Sequence, residues 1–236
     1  MGRAVIIASY LEHPVDIPRL LEPDDYIVCL DGGYDIALQQ GVKPHMLLGD
    51  FDSMQVPFPE DPAIEIRRYP PEKDYTDLEL AFRILDPEKT PEILVIGALG
   101  GRLDQTLTNV QMLAQYTSGA YASEAEQDQT PQIPRYRRIQ LQDGHNKCFA
   151  ICGDGTGTSV CQIAREPNSY LSLLPMSDWC RGVTLKGAKY PLEDADIQKG
   201  VSFCVSNEFR GPQAELTLRS GTLLVIVARG NSGDRL

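Results

Sequence analysis

The feature that most constrains the fold is a change in hydrophobic pattern about halfway along the 236-residue chain. In the first half, short apolar runs alternate with helical patterns. The runs are AVIIAS, YIVCLDGG, HMLLGDFDS, AIEIRRYP and EILVIGALGG, and each ends in Gly, Asp, Pro or Ser. Such runs are typical of buried strands in a parallel sheet. Alternating strands and helices predict an open, parallel α/β sheet with helices on both faces.

Two helices are predicted in this half. The first, TDLELAFRIL, begins with a capping box formed by Thr76 and Glu79. Its predicted buried face is Leu78, Ala81, Phe82 and Leu85. The second follows the last strand, and its predicted buried stripe is Leu103, Leu107, Val110 and Ala114.

The second half has no helical period. Residues 118–138 are rich in Glu, Gln, Asp and Pro, which predicts a linker or exposed loop. Residues 139–236 contain short apolar runs separated by turn sequences, a pattern that predicts a carboxyl-terminal all-β sandwich or barrel. The glycine-rich GDGTGT at 153–158 is predicted to be a hairpin turn. Residues 1–117 would then form the α/β domain.

Composition excludes several classes of function. The chain has 33 acidic and 22 basic residues and a formal charge of −11, which argues against nucleic-acid binding because that affinity comes mainly from Lys and Arg. Its apolar runs are far shorter than the ~20 residues that span a bilayer, so no membrane association is expected. The six cysteines contain no CxxC pair, which favours reduced thiols and a cytoplasmic location.

Acidic residues follow two of the predicted strands. Asp31 follows YIVCL, and the next residues, Gly32 and Gly33, would let the backbone approach a ligand closely. Asp50 and Asp52 follow the next strand, in GDFDS. On an extended segment, residues two apart point to the same side, so both carboxylates could bind one Mg²⁺ together with substrate phosphates. The alternative is that these residues only form a turn.

A further charged group precedes the first predicted helix. KDYTDLE contains Lys73, Asp74 and Asp77 at its amino end, where free backbone amides attract phosphate oxygens and the lysine could add positive charge. Asp77 could instead serve only as a partner of the helix dipole.

The last strand of this half leads into GALGGRLDQT, which is typical of a loop that approaches a phosphate closely. It lacks the spacing of a Walker A loop and of a dinucleotide fingerprint. Arg102 would donate bidentate hydrogen bonds to a phosphate, and Asp104 could hold that arginine, contact a substrate hydroxyl or take its proton. The simpler interpretation of Asp104 is a capping carboxylate.

Taken in order, these motifs resemble a known family. DGGYDIALQQGVKPHMLLGDFDS, KDYTDLELAF and GALGGRLDQTLTN are similar to the catalytic half of thiamine pyrophosphokinases. SLLPMS, GVTLKGAKYPLED, VSNEF and GTLLVIV are similar to the family's carboxyl-terminal β-domain. The resemblance implies a Mg²⁺-dependent kinase that transfers the pyrophosphoryl group of ATP to the hydroxyl of thiamine, giving thiamine diphosphate and AMP.

The resemblance also implies roles for individual residues. The metal carboxylates would be Asp50, Asp52 and Asp77, and the catalytic residues Asp74, Arg102 and Asp104. The nucleotide-binding residues would be Asp31, Gly32, Gly33, Lys73, Thr76, Gly101 and Gln105, where Gln105 stands in place of the His of many bacterial members. Ser206 and Asn207 would contact thiamine. The family's homodimer, with thiamine held between subunits, implies a homodimer here.

Two other functions are compatible with these motifs. A Mg²⁺-dependent phosphohydrolase with an aspartate nucleophile also places DxD after an apolar strand, usually the first strand of the fold. A non-catalytic sensor would bind a nucleotide or thiamine without turnover.

Overall fold

The computed structural model of the chain describes residues 2–118 and 133–230. These residues form two compact units, which divide between Gly144 and His145. The predicted boundary at 138/139 therefore lies too early. The cause is a strand at 138–142 that belongs to the first unit. Most of the predicted linker lies outside the described residues.

The first unit contains a parallel sheet of six strands. They are β1 (Ala4–Ile7), β2 (Tyr26–Leu30), β3 (Met46–Gly49), β4 (Glu65–Arg68), β5 (Glu92–Ile96) and β6 (Arg138–Gln142). Their spatial order is β6-β5-β1-β2-β3-β4. The chain thus builds outward from β1 to β4 and then returns to the other side of β1. The predicted parallel sheet is confirmed.

Helices cover this sheet. They are α1 (Gly33–Gln39), α2 (Asp77–Ile84) and α3 (Leu103–Ser118), and a 3₁₀ turn spans Ile17–Leu20. Tyr34 and Ala37 of α1 lie in one apolar cluster with Ile7, Cys29 and Leu47 of the sheet. Helix α2 contacts β2, β3 and α3, and α3 contacts β6. The predicted face of α2 is confirmed, since Leu78, Ala81, Phe82 and Leu85 are all buried.

Two predictions of burial in this unit are wrong. Strand β4 lies at the edge of the sheet, so it is mostly exposed, and Ile66 retains 43% of its accessible surface. On α3, Leu103 and Leu107 are 70% and 53% exposed. The buried side of α3 consists of Asn109, Met112, Leu113, Ala114 and Tyr116. The apolar spacing therefore predicted the helix correctly. Of the predicted buried stripe, however, only the part near Ala114 is buried.

The described end of the predicted linker is anchored in the first unit. Tyr136 is 2% exposed, and its hydroxyl donates to the carbonyl oxygens of Phe82 at 2.6 Å and Leu85 at 2.9 Å. Its backbone N–H donates to the carbonyl of Tyr116. Tyr136 thereby caps carbonyl groups at the carboxyl end of α2 that have no partner within the helix. The composition had predicted that this tyrosine lies in a linker or exposed loop.

The second unit consists of antiparallel strands around one core. The strands are β7 (Asn146–Ala164), β8 (Ser169–Pro175), β9 (Trp179–Lys186), β10 (Leu192–Gln198), β11 (Asn207–Glu208) and β12 (Gln213–Arg229). Strand β12 pairs with β7 along its length, with β9 over its first half and with β8 over its second. Alternate residues of these strands face the shared core, as the burial of Leu171, Leu173, Leu216 and Leu218 shows. The predicted β-rich domain is confirmed.

The glycine-rich GDGTGT is not a hairpin turn. It lies inside β7, where Asp154 still pairs with Ser220 and Ser159 pairs with Leu218. Residues 155–158 thus form a bulge opposite Arg219 of β12. Pairing with a long neighbouring strand has overridden the local turn preference of Gly and Asp.

In the part of the chain that the structure describes, no helix combines the length and apolar character needed to cross a membrane. The six cysteines are free thiols, and Cys29, Cys148, Cys180 and Cys204 are buried. Burial raises the pKa of Cys29 to about 12, since desolvation disfavours the thiolate.

Candidate active site

The candidate residues of the first unit follow the carboxyl ends of its strands. Asp31 follows β2, Asp50 follows β3, and the loop of Gly97–Arg102 follows β5. Because the strands are parallel, these ends share one edge of the sheet. The order of strands reverses between β1 and β5, and a reversal of this kind is where open α/β sheets bind ligands.

Three carboxylates, those of Asp31, Asp50 and Asp77, form the acidic cluster of this edge. Asp31 is partly buried and its Oδ1 accepts the backbone N–H of Phe51 at 3.0 Å. Burial, helped by the nearby charges of Asp77 and Asp50, raises the pKa of Asp31 to about 6, and the hydrogen bond from Phe51 opposes this shift. The raised pKa identifies a partly buried position at which a negative charge is unfavourable.

Lys73 lies within the acidic cluster. Its Nζ is 3.0 Å from Asp77 Oδ1 and 3.9 Å from Asp50 Oδ2, and its side chain is only 12% exposed. Asp77 Oδ1 is buried and accepts no hydrogen bond from the residues that the structure describes, so its 3.0 Å contact with Lys73 is an ion pair. The structure thus brings together three of the predicted carboxylates and the predicted lysine.

The GDFDS segment is a turn as well as part of the site. Asp50 Oδ1 accepts the backbone N–H of Asp52 at 3.0 Å, and Phe51 has a left-handed φ of 67°. The segment is therefore not extended, and the expectation that both carboxylates point to one side for that reason is wrong. Asp50 is partly buried beside Lys73, whereas Asp52 is exposed.

Helix α2 begins at the acidic cluster. Thr76 is its N-cap, and Oγ1 of Thr76 accepts the backbone N–H of Glu79 at 3.2 Å. The carboxylate of Glu79 instead accepts the hydroxyl of Tyr116 at 3.0 Å and the guanidinium of Arg83 at 2.9 Å. The capping box is therefore half formed: the threonine caps, and the glutamate joins α2 to α3.

The loop before α2 is also fixed by Arg83. Its guanidinium lies over the ring of Tyr75, 4.1 Å from the centroid, while it donates to Glu79. Asp74, next to Tyr75, is exposed at the surface of this loop. A cation held between a carboxylate and an aromatic face stabilises the loop that carries Lys73 and Asp74.

The glycines after β2 serve the fold. A Cβ on Gly33 would lie 2.0 Å from the carbonyl oxygen of Ile7, so the start of α1 packs directly on the backbone of β1. Gly32 donates its backbone N–H to Oγ of Ser53 at 3.1 Å. The close approach that the sequence suggested is thus made to β1 and to the GDFDS turn.

The loop after β5 is shaped by another aromatic ring. Gly101 has a left-handed φ of 65°, and a Cβ there would lie 3.0 Å from the ring of Tyr10. Arg102 and Asp104 form an exposed ion pair, with Nη2 and Oδ2 2.6 Å apart. Asp104 Oδ1 also accepts the backbone N–H of Gln105 at 3.0 Å. Asp104 therefore orients Arg102 at the first turn of α3.

The two predicted thiamine contacts belong to the second unit. Ser206 is exposed and has a left-handed φ of 61°. Asn207 is 7% exposed, and its amide bonds to Tyr190 in both directions: Nδ2 donates to the carbonyl oxygen at 2.7 Å and Oδ1 accepts the N–H at 3.0 Å. The side chain of Asn207 therefore holds the segment before β10 next to Ser206, whose own backbone N–H donates to Oγ of Ser172 at 3.0 Å.

Comparison with known proteins decides the family. A model of the thiamin pyrophosphokinase catalytic domain matches residues 17–122, and a model of the thiamin pyrophosphokinase vitamin B1 binding domain matches residues 160–223. A thiamine pyrophosphokinase of Bacillus subtilis (strain 168) is 30% identical over 202 residues, which cover 84% of each chain. The chain belongs to the thiamine pyrophosphokinase family.

Thiamin pyrophosphokinase 1 of Caenorhabditis elegans is 26% identical over 211 residues, 85% of this chain and 78% of that protein. The crystal structure of the B. subtilis thiamine pyrophosphokinase aligns with a TM-score of 0.79 at 24% identity, over 98% of this chain and 100% of that one. That of Geobacillus thermodenitrificans thiamin pyrophosphokinase gives 0.76 at 26% identity, over 98% and 99%. These similarities confirm the fold of an α/β unit followed by a β-rich unit.

The two matched ranges contain every residue that the motifs predicted for the site. Two structural features of the site were missed. Glu79 was interpreted only as a cap, and Tyr10 was not considered at all. The (i, i+4) spacing of Glu79 and Arg83 was a signal for their ion pair. The position of Tyr10 just after β1, at the end of a predicted central strand, was a signal that it could reach the site.

Proposed function

We propose that this chain catalyses the transfer of the pyrophosphoryl group of ATP to the hydroxyl of thiamine, giving thiamine diphosphate and AMP. The single observation that supports this most is the acidic cluster, which lies at the ligand-binding edge of a sheet belonging to the thiamine pyrophosphokinase family. Pyrophosphoryl transfer needs little covalent chemistry from a protein, but it needs alignment and charge neutralisation.

The described residues contain no group of three His, Cys, Asp or Glu side chains arranged to hold a metal ion alone, so a divalent cation here would need substrate phosphates as further ligands. Among the described residues Asp77 Oδ1 is buried without a hydrogen-bond partner, and burial, with the charges of Asp77 and Asp50, raises the pKa of Asp31. Carboxylate oxygens left in this state suit Mg²⁺, which binds through one or two carboxylates and substrate phosphates. We propose that Asp50 and Asp77 hold the ion and that exposed Asp52 completes the set. When bound, Mg²⁺ neutralises charge that develops on the phosphate oxygens.

The remaining residues act on the substrates directly. Arg102, oriented by Asp104, donates to a phosphate of ATP, and the free amides at the start of α2 and α3 attract phosphate oxygens. Asp74 and Asp104 are exposed carboxylates near these phosphates and are the candidates for accepting the hydroxyl proton of thiamine. Thr76, Gly32, Gly33, Gly101 and Gln105 shape the loops that approach the nucleotide.

The second unit is proposed to bind thiamine through Ser206 and its neighbours and to form a homodimer. This assignment follows the matched vitamin B1 binding domain, which contains both Ser206 and Asn207. The buried amide of Asn207 holds the backbone of Tyr190 and thereby fixes the segment beside Ser206. A cytoplasmic location remains a prediction from the cysteine pattern.

The phosphohydrolase alternative is not favoured. Asp50 follows the third strand of the chain, whereas a hydrolase that uses an aspartyl nucleophile usually carries it after the first. A non-catalytic sensor is equally disfavoured by the family comparison.

Product analysis tests the proposal. Purified protein is incubated with ATP, Mg²⁺ and thiamine, and the products are identified by mass spectrometry. AMP and thiamine diphosphate in equal amounts are expected. ADP with thiamine monophosphate, or free phosphate without thiamine consumption, would refute the reaction.

A further inference from the structure

The position of Lys73 differs from that of a lysine arranged to bind phosphate. Its ammonium is directed into the acidic cluster, 3.0 Å from Asp77 and 3.9 Å from Asp50, and it is 12% exposed. Among the described residues, no other Lys or Arg forms an ion pair with Asp31, Asp50 or Asp77. Lys73 is therefore the cation that balances the cluster in the protein alone.

We propose that Lys73 is an internal counter-ion, which a divalent metal displaces from Asp77 and which then becomes free to bind a phosphate of the nucleotide. This inference rests on the proposed metal site. It assigns to one side chain two successive partners, a carboxylate before the metal binds and a phosphate afterwards.

The charges of the cluster support this exchange. When all are ionised, the carboxylates of Asp31, Asp50 and Asp77 carry a charge of −3, of which Lys73 neutralises one unit. A divalent cation that replaces the ammonium neutralises two units, so the exchange leaves less uncompensated negative charge in the cluster. Asp77 Oδ1 cannot contact the ammonium and a metal ion closely at the same time, and the ammonium already lies 3.0 Å from it. A metal that binds this oxygen must repel the ammonium, because like charges a few ångströms apart cost several kcal/mol in a partly buried site.

The same geometry explains why the lysine is useful. Three partly buried carboxylates without a counter-ion would repel one another and destabilise the loops that carry them. Lys73 lowers that repulsion before metal binding, at the expense of metal affinity. Its location four residues before Asp77, in the loop that precedes α2, keeps the ammonium near the phosphates after it is displaced.

The test measures binding of Mn²⁺ alone to the full chain, by calorimetry or by electron paramagnetic resonance, without nucleotide. Mn²⁺ prefers the same oxygen ligands as Mg²⁺. The variants are Lys73→Met and Lys73→Gln, which remove the charge, and Lys73→Arg, which keeps it. Lys43→Met is the matched control, because Lys43 forms an exposed ion pair with Asp61 elsewhere on the same unit.

Removing the charge of Lys73 is expected to tighten Mn²⁺ binding about 10-fold or more, since one positive charge near the ion is lost. Lys43→Met is expected to bind as the wild type does, and Lys73→Arg to stay close to it. In a second measurement, Lys73→Met and Lys73→Gln should bind Mg·ATP more weakly than the wild type. If Lys73 only stabilised the fold, its removal would not raise the affinity for Mn²⁺ while lowering the affinity for Mg·ATP.

Unchanged or weaker Mn²⁺ binding in both neutral variants would overturn the exchange while leaving the proposed reaction intact. If neither the wild type nor the neutral variants bind Mn²⁺, the metal site itself is wrong, and the exchange fails with it. The melting temperature checks that the variants are folded. Without metal it is expected to be lower in both neutral variants than in the wild type. Added Mn²⁺ is expected to raise it more in these variants than in the wild type.

Discussion

Replacing Gly33 by alanine tests whether the glycines after β2 serve packing or ligand approach. The added Cβ would lie 2.0 Å from the carbonyl oxygen of Ile7 and 2.8 Å from its carbonyl carbon. Ile7 is fully buried in β1, between β2 and β5, and cannot move freely. Gly32, one residue earlier, is the matched control because its added Cβ would meet Ser53 and Ser9 at 3.3 Å, a tight contact that a shift of a few tenths of an ångström relieves.

The magnitude follows from these distances. Relief of the clash at Gly33 requires the start of α1 to move away from β1 by about 1 Å or more, because a packed interior has no free space for the added methyl group. Overpacking of this kind typically costs ~1–3 kcal/mol, and contact with backbone rather than with a flexible side chain puts Gly33→Ala at the upper end, about 3 kcal/mol. Gly32 has φ −60°, an ordinary helical value, so Gly32→Ala is expected to change stability by less than about 1 kcal/mol.

The assay is urea unfolding followed by circular dichroism, with the free energy of unfolding taken from the midpoint at unchanged slope. Gly33→Ala should unfold at markedly lower urea than Gly32→Ala. If the two variants unfold at the same urea concentration and Gly33→Ala loses only activity, the glycine serves the ligand and the packing argument is refuted.

Three further outcomes are expected. Asp52→Asn should lower kcat by ~100-fold in an AMP-release assay, the usual effect of removing one charge-stabilising group, while the melting temperature stays unchanged because Asp52 is exposed. Tyr116→Phe should lower the free energy of unfolding by about 1–2 kcal/mol in urea, because the partly buried carboxylate of Glu79 loses a donor 3.0 Å away, and an unchanged value would show that Arg83 alone satisfies it. Removing divalent cations with EDTA should abolish AMP release, and added Mg²⁺ should restore it; turnover that persists in EDTA would contradict the metal's role.

Much of the first unit could be predicted because its strands are buried on both faces and therefore form continuous apolar runs. The exceptions have physical causes. Strand β4 is an edge strand, and the pattern AIEIRRYP contains no signal that it has only one neighbour. The exposed Leu103 and Leu107 follow the same helical period as the buried residues of α3, so spacing alone does not show which side faces the sheet.

In the second unit, local turn sequences were misleading. GDGTGT has the composition of a hairpin, yet residues on both sides of it pair with one strand, β12. Whether such a segment turns or bulges depends on the length of its neighbour, which is distant in sequence. The long β7 and β12 stabilise each other, and neither could be recognised without the other.

The candidate site was predictable to the extent that it depends on topology. Parallel strands bring Asp31, Asp50 and the loop after β5 to one edge, whatever the details of side-chain packing. What could not be predicted is the direction of each charged group. Lys73 points to Asp77 and not outward, and Glu79 points to Tyr116 and not back to its own N-cap.

The directions of Lys73 and Glu79 have a common origin. Each side chain contacts a second element of the fold, whereas rules based on the local sequence consider one helix end at a time. The carboxylate of Glu79 joins α2 to α3, and Arg83 extends that contact to Tyr75 in the loop before α2. That loop carries Lys73, whose ammonium reaches the carboxylate at the start of α2. The loop that carries the counter-ion is therefore held by the packing of α2 on α3, while the ammonium itself is held by the acidic cluster. A substitution at Tyr116 or Arg83, outside the cluster, is for this reason expected to alter metal binding.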